Sequence, residues 1–338
     1  MFRPLFVRCF SLFSLCVCAF CLPAQDLHFS QFYNNPLRLN PALTGGFEGH
    51  LRGSLLYRQQ WTSVPVPYQT ISGAFDWKAR QKGKNGFAFA ALVEHDRAGD
   101  AALSWTKLGA MASVSHQIGV NLHISAGFGT EFAQRAFSVE ALKFQRQWSG
   151  DAFNGNLSNG ENLNQSSGIF PVLSGGLNLH YGQSDTRTKI DVGAGGFHFN
   201  RPNVAFRQNE KDLLPVRWTG FAQGVIQWGE HSDVVWMTNV QYMGRSSEWL
   251  AGGGVRHILT QRPGLFWNVQ ATASLRGKSA VIPALQMTWN DWTAGLSYDL
   301  DISPFRIATQ RRGGPELALI YRPLPVPNVK TVKCCPIF

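Results

Sequence analysis

The side chains able to do chemistry are few and scattered. Nine histidines stand singly along the chain. His123 alternates into the polar side of a strand-like stretch, where a hydrogen-bonded side chain is a commoner reading than a ligand. Asp299 and Asp301 sit two apart and would share one face of a strand, as a cation site or an acid pair requires, although such pairs more often meet arginines. No glycine-rich phosphate loop, no pair of Cys motifs at zinc spacing, no HExxH helix and no GxSxG elbow occurs. A Ser/His/Asp set assembled in space would leave no such trace, so a hydrolase stays as a minor reading. The residues themselves point to no catalytic, metal-binding or cofactor-binding centre and to no cofactor.

The elements that must hold these residues are narrowed by composition. Charged residues make up 15% of the 338, against roughly 25% in soluble domains. Glycine numbers 34 and aromatics reach 12%, so a disordered chain is excluded. After residue 24 no stretch approaches the roughly 18 apolar residues that a spanning helix needs. Apolar residues instead alternate. From 265 to 276, Leu265, Trp267, Val269, Ala271, Ala273 and Leu275 share one face, with Phe266, Asn268, Gln270, Thr272, Ser274 and Arg276 on the other. Similar runs cover 51–61, 70–77, 87–95, 107–116, 122–132, 170–181, 189–199, 216–228, 233–242, 247–259, 280–290, 292–300 and 316–322, giving 14 strands in all.

An even count suits an all-β, antiparallel outer-membrane barrel with both ends on one side. Loop lengths agree with it. The longest connections, 138–168, 200–214 and 301–315, are the fifth, seventh and thirteenth, all odd, while even ones such as 117–119 and 229–231 are tight. The polar faces, with Arg58, Glu131, Asp191, Arg217, Asp299 and Glu316, are expected inside, and the apolar faces against lipid. Trp61, Trp77, Trp218, Trp228, Trp267, Trp289 and Trp292 fall near strand ends, where an interfacial girdle belongs. A soluble sandwich is the competing arrangement.

Residues 1–24 read as a signal peptide, with Arg3 and Arg8 ahead of an apolar run that ends at Ala24. A lipoprotein cut at Cys21 would need a small residue where Phe20 stands. Removal of this leader takes four of the six cysteines and lowers the formal charge from +10 to +8. The neighbours Cys334 and Cys335 cannot staple a fold, so burial and strand pairing must hold it. The basic residues are spread over strands and turns such as 79–84. Export makes nucleic acid an implausible partner, while outer-membrane lipid and a periplasmic protein fit the excess charge.

An ordered set of short motifs completes the reading. The mature start carries Phe29, Ser30, Gln31, Phe32 and Tyr33, then Asn35-Pro36, then Asn40-Pro41-Ala42 ahead of Gly45; Arg58, Gln60, Trp61, Ser72 and Asp76 follow. Near the far end stand Tyr298, Asp299, Gly314 and Glu316, and the terminus reads Cys335, Pro336, Ile337, Phe338. This pattern resembles the PorP/SprF family of type IX secretion membrane proteins. The doubled Cys334 and Cys335 depart from the family's single tail cysteine. The resemblance implies a non-enzymatic outer-membrane barrel of Bacteroidota, concerned with protein secretion and gliding motility. Such a barrel supports export or surface anchoring of a dedicated client such as an adhesin, and links the apparatus to the outer membrane. Its expected partners are type IX secretion components in the periplasm and outer membrane, and the secreted client. A porin-like solute channel is the alternative that shares every strand-level feature.

Four regions follow: signal peptide 1–24, periplasmic N-terminal segment 25–48, barrel 49–322 and periplasmic C-terminal tail 323–338. Two Asn-Pro pairs and Gly45 favour turning backbone in the second, which is expected to pack into or beneath the barrel mouth. Pro323, Pro325, Pro327 and Pro336 bar regular pairing in the fourth. Surface loops are the natural place for client recognition, with Trp148, Phe153, Phe206 and Arg207 as candidate contacts.

Overall fold

A computed structural model describes residues 28–60, 68–161, 167–206, 210–262, 264–307 and 309–323. Trp61, Arg207, Cys335, Pro336 and Phe338 lie outside the described residues, as do the leader 1–24 and the tail from 324 onward. Among the described residues there are sixteen strands: β1 (Leu51–Gln60), β2 (Tyr68–Lys82), β3 (Asn85–Ala98), β4 (Leu103–Gln117), β5 (Leu122–Ala136), β6 (Trp148–Ser149), β7 (Ala152–Phe153), β8 (Ser167–Gly182), β9 (Lys189–Phe197), β10 (Arg217–Gln227), β11 (Ser232–Met243), β12 (Ser246–Arg262), β13 (Leu265–Arg276), β14 (Ala280–Trp289), β15 (Trp292–Asp301) and β16 (Arg312–Tyr321).

All except β6 and β7 close into one antiparallel barrel, β1 pairing with β16 through Gly53↔Tyr321 to Arg58↔Glu316. Closure satisfies every strand edge, the condition for crossing lipid with strands. Each expected strand is present, and β2 to β5 and β8 run several residues longer than the apolar alternation alone. At Lys78 to Lys82 that alternation gives way to charge, yet pairing continues to Asn85 through a register shift between Lys78 and Arg80. The fifth connection contains the β6–β7 hairpin, which two-residue strands could not announce in sequence.

The two faces of the wall sort as the alternation requires. On β13, Leu265, Trp267, Val269 and Leu275 are exposed, whereas Asn268, Gln270, Thr272, Ser274 and Arg276 are buried. Trp77, Trp218, Trp228, Trp267 and Trp292 are likewise exposed on the outer surface, with Trp77 packed between Phe75 and Phe89. Inward stand Glu94, Lys107, Glu131, Arg217, Asp299 and Glu316, all buried. A charge placed on the outer face therefore meets hydrocarbon. Phe128, 56% exposed near the middle of β5, is a suitable probe. Phe128→Arg is expected to cost about 2–4 kcal/mol of barrel stability in bilayers, read from the denaturant midpoint in lipid vesicles; an unchanged midpoint contradicts the lipid-facing assignment.

One rim carries the ends of the wall, Leu51 and Tyr321, together with the short turns between β2 and β3 and between β14 and β15. The opposite rim carries the long connections, and one of them folds inward. In residues 198–216, Val204 and Leu214 are buried against Ala133, Phe170, Val172 and Met243 of the inner wall.

A lumen filled by the N-terminal segment

Residues 28–46 lie inside the barrel. They form a 3-10 turn (Phe32–Asn34), one α-helical turn (Pro36–Leu39) and a second 3-10 turn (Pro41–Leu43). Proline at the first position of the latter two presets φ and lacks the N–H that would go unbonded there. Asn40 supplies the cap, accepting from Ala42 N at 2.9 Å. The amide of the same Asn40 donates to Leu177 O at 2.8 Å and Ala194 O at 3.2 Å, reaching carbonyls of β8 and β9. Phe32, Leu39 and Leu43 pack on Phe221, Val235, Met237, Leu250 and Ile282.

Charge fixes the segment at three levels. Nearest the long connections, Asp299 receives Arg58 Nη2 at 2.9 Å, Arg276 Nη1 at 2.6 Å and Ser30 Oγ at 2.6 Å. Glu316 accepts the backbone N–H groups of Ser30 and Gln31, each at 2.7 Å, and the Gln31 amide reaches Ser297 Oγ at 3.1 Å. Arg58 also donates to His28 O. Burial holds the His28 imidazole at about 4 against the pull of Glu248. It is neutral at pH 7, and its 3.7 Å approach to Glu248 Oε2 is a polar contact rather than an ion pair. Burial likewise pushes the Tyr33 hydroxyl upward.

Midway, Arg38 donates to both oxygens of Glu131 at 2.8 and 3.0 Å and lies 3.2 Å from Glu94 Oε2, itself 3.8 Å from Lys107 Nζ. Arg217 donates to Arg38 O at 3.0 Å, and the two guanidiniums flank the Phe197 ring at 4.1 and 5.6 Å. Thr219 Oγ1 holds Leu39 O at 2.6 Å. Asn35 donates to Ser72 Oγ at 3.1 Å at the same level, since Ser72 is the cross-strand partner of Glu94. Toward the short-turn rim, Ser113 Oγ donates to Thr44 O at 2.6 Å and Gly45 N to Asp76 Oδ2 at 3.0 Å. The seat itself needs glycine. A β-carbon on Gly127 would overlap the Pro41 carbonyl, and one on Gly176 would overlap the Asn40 amide.

Most motif residues named from the sequence therefore converge on one interface. Gln31, Asn35, Pro36, Asn40, Pro41 and Gly45 supply the segment, and Arg58, Asp76, Asp299 and Glu316 supply the wall. Gln60 ends β1 opposite Tyr68, while Tyr298 and Gly314 belong to the β15–β16 pairing, where the register shifts. Asp301 does not join Asp299 in an acid pair; it accepts from Ser303 N and Thr309 Oγ1 in the thirteenth connection. Trp148 and Phe153 face each other across the β6–β7 hairpin, both exposed, with ring centroids 5.7 Å apart. Phe206 packs against Phe137 and beneath Arg135 at 4.7 Å each. Sequence reasoning did not single out Arg38, Glu94 or Lys107, and it named Arg276 only as a member of the polar face of 265–276. Among the described residues, no group of three His, Cys, Asp or Glu could hold a metal ion.

A closed barrel with an apolar outer surface, a polar lumen and its own leading segment seated within is a β-barrel protein of the outer membrane. The chain belongs to the PorP/SprF family: the family model described as type IX secretion system membrane protein PorP/SprF matches residues 22–321. No curated protein matches the sequence. Among solved structures, the chain is similar to the Ralstonia pickettii toluene transporter TbuX, with 11% identity and a TM-score of 0.49 over 85% of this chain and 92% of that one. It is also similar to a Pseudomonas aeruginosa FadL homologue, with 10% identity and a TM-score of 0.44 over 84% and 92%.

Proposed function

We propose that this chain is a non-enzymatic accessory of type IX secretion that supports export or surface anchoring of one dedicated client, such as an adhesin, and ties the apparatus to the outer membrane. The observation that carries the reading is the filled lumen in a member of this family. Every strand of the wall touches residues 28–46 or packs against them, which argues against a solute channel and gives a secretion partner a rigid scaffold. Outer-membrane barrels keep short turns in the periplasm and long loops outside. The fifth, seventh and thirteenth connections then face the client, with Trp148 and Phe153 on the exposed hairpin and Phe206 and Arg207 on the seventh. Periplasmic secretion components meet the short-turn rim.

Deletion of residues 150–165 tests the client-facing part. The wall makes no use of β7, so barrel assembly is expected to remain intact, while surface display of one protein falls to the level of a strain lacking the whole chain. Display at the wild-type level sinks the recognition role of this loop. Unchanged display of every surface protein in the strain lacking the chain sinks the secretion role itself.

A further inference from the structure

The outer face of β13–β16 is banded, and its two borders differ in chemistry. At the short-turn rim, cross-strand partners line up as Trp267, Trp289, Trp292 and Tyr321, an aromatic row of the kind that marks a membrane interface. Beyond them Leu285, Leu296 and Leu317 form a row that is half exposed or more. The far border runs Leu275, Val281, Leu300 and then Arg312. Residues paired across strands share a face. Arg312 therefore turns outward with Leu300, the register having shifted by one residue at Gly313. From Trp292 to Leu300 the strand spans about 26 Å at roughly 3.3 Å per residue, or about 20 Å of height at a tilt near 40°. An apolar band is about 25 Å tall, so Arg312 stands at headgroup level. On β10–β12 the same border carries exposed Trp218, Tyr242 and Trp249 instead.

The thirteenth connection adds further cations beside Arg312. It is folded round Asp301, which accepts from Ser303 N at 2.8 Å and from Thr309 Oγ1 at 2.9 Å. Asp301 N donates to Arg311 O at 3.2 Å, and Arg311 N to Arg306 O at 2.9 Å. Ile302 N donates to Ser279 O at 2.9 Å, which brings the turn bearing Lys278 alongside. Gln310 and Arg311 hold φ at 52° and 62°, a left-handed conformation that residues with a β-carbon adopt at a cost. Lys278, Arg306, Arg311 and Arg312 are all exposed, and among the described residues none of them has a carboxylate partner. The acids of this arc are engaged within: Asp299 and Asp301 are buried, and Glu248 faces His28 and Arg276. Ile302 and Ile307 are exposed beside the cations.

We infer that Lys278, Arg306, Arg311 and Arg312 form a binding site for the phosphorylated headgroup of an outer-leaflet lipid. Guanidinium forks match phosphate in bidentate geometry, and unpaired cations at headgroup level meet phosphates without first breaking an ion pair. The leucines below Arg312 and the exposed Ile302 and Ile307 suit the acyl chains of the same molecule. A soluble acidic segment would reach Arg306 and Arg311, but it gives no reason for a cation on the lipid face in a row with Leu275, Val281 and Leu300. That the leaflet is the outer one rests on the orientation by loop length given above; the site does not.

The test is a fluorescence-anisotropy titration of the purified full chain, in neutral detergent, with a fluorescent diphosphoryl lipid A. Saturable binding is expected that weakens with salt, and by about tenfold in Arg312→Gln or Arg306→Gln. Lys211→Gln, which removes an exposed cation from the seventh connection, should bind as the wild type does. The exposed arginines hold no part of the wall, so these variants should keep native heat-modifiable migration, which separates a binding role from a structural one. Absence of saturable binding, or an equal loss in Lys211→Gln, overturns the inference. Inorganic phosphate that displaces the lipid at equal phosphate concentration would make this a small-anion site. Hexaglutamate binding that depends on Arg312, in place of lipid binding, would make it a protein contact; either also overturns it. The titration needs no client, so its failure is distinct from any failure of client display.

Discussion

Arg38→Ala is expected to free the lumen segment while the barrel stays closed, so that the amides of residues 29–45 exchange with solvent about a hundredfold or more faster than in the wild type. Removing one partner of a buried ion pair costs about 3–5 kcal/mol, because the charge left behind is neither solvated nor neutralised. Here two carboxylates lose that partner, although Glu94 keeps Lys107 Nζ at 3.8 Å. Glu131 loses the Nη1 that bonds both its oxygens and Glu94 loses a contact at 3.2 Å, and both carboxylates are buried. The strands keep their own ladder, so the loss falls on the segment rather than the wall. Arg38→Lys should recover only part of the protection, since a single ammonium cannot bond Glu131 and reach Glu94 as Nη1 and Nη2 of the guanidinium do. Pairing Arg38→Met with Glu131→Gln removes charge from both sides and should couple favourably. Wild-type exchange rates in Arg38→Ala would show that the ion cluster does not hold the segment.

A second large effect is expected from Gly127→Val and Gly176→Val. The atoms that a β-carbon would strike are the Pro41 carbonyl and the Ala42 amide nitrogen at Gly127, and the Asn40 side chain together with the Ala194 carbonyl of the adjacent strand at Gly176. Pro41 cannot yield by changing a rotamer, and overpacking of this kind costs about 1–3 kcal/mol at each site. Valine suits a strand, and at Gly127 the three nearest atoms all belong to the segment rather than the wall, whereas at Gly176 the neighbouring strand must also shift by a few tenths of an ångström. The double variant should fold with native heat-modifiable migration, yet show current steps in a planar bilayer. A silent double variant with native exchange protection at residues 38–44 would mean that the segment sits elsewhere.

The wall was legible in the sequence because the side-chain period of two is local. Leu265 to Arg276 announces both faces of β13 without reference to any other strand. Parity of the loops came from the same counting. The N-terminal segment was legible only as turning backbone. Asn35-Pro36 and Asn40-Pro41 state that no strand forms there, but their partners are Ser72, Leu177 and Ala194, which no periodicity connects to them. Arg38 reads as an ordinary charge within a turn-rich stretch, and only the closed barrel brings Glu94 and Glu131 to it from β3 and β5. Gly127 and Gly176 read as small members of a polar face, and their purpose appears only when Pro41 and Asn40 fill the space. Trp148 and Phe153 stood out as aromatics in a long loop, but a hairpin of two-residue strands has too few positions to show alternation.

Single-channel recording of the purified full-length protein in a planar bilayer tests the central claim most directly. A lumen held shut by residues 28–46 gives no steady conductance across the accessible voltage range. A stable, ohmic channel of reproducible size in the wild type would contradict the account and return the protein to the solute channels.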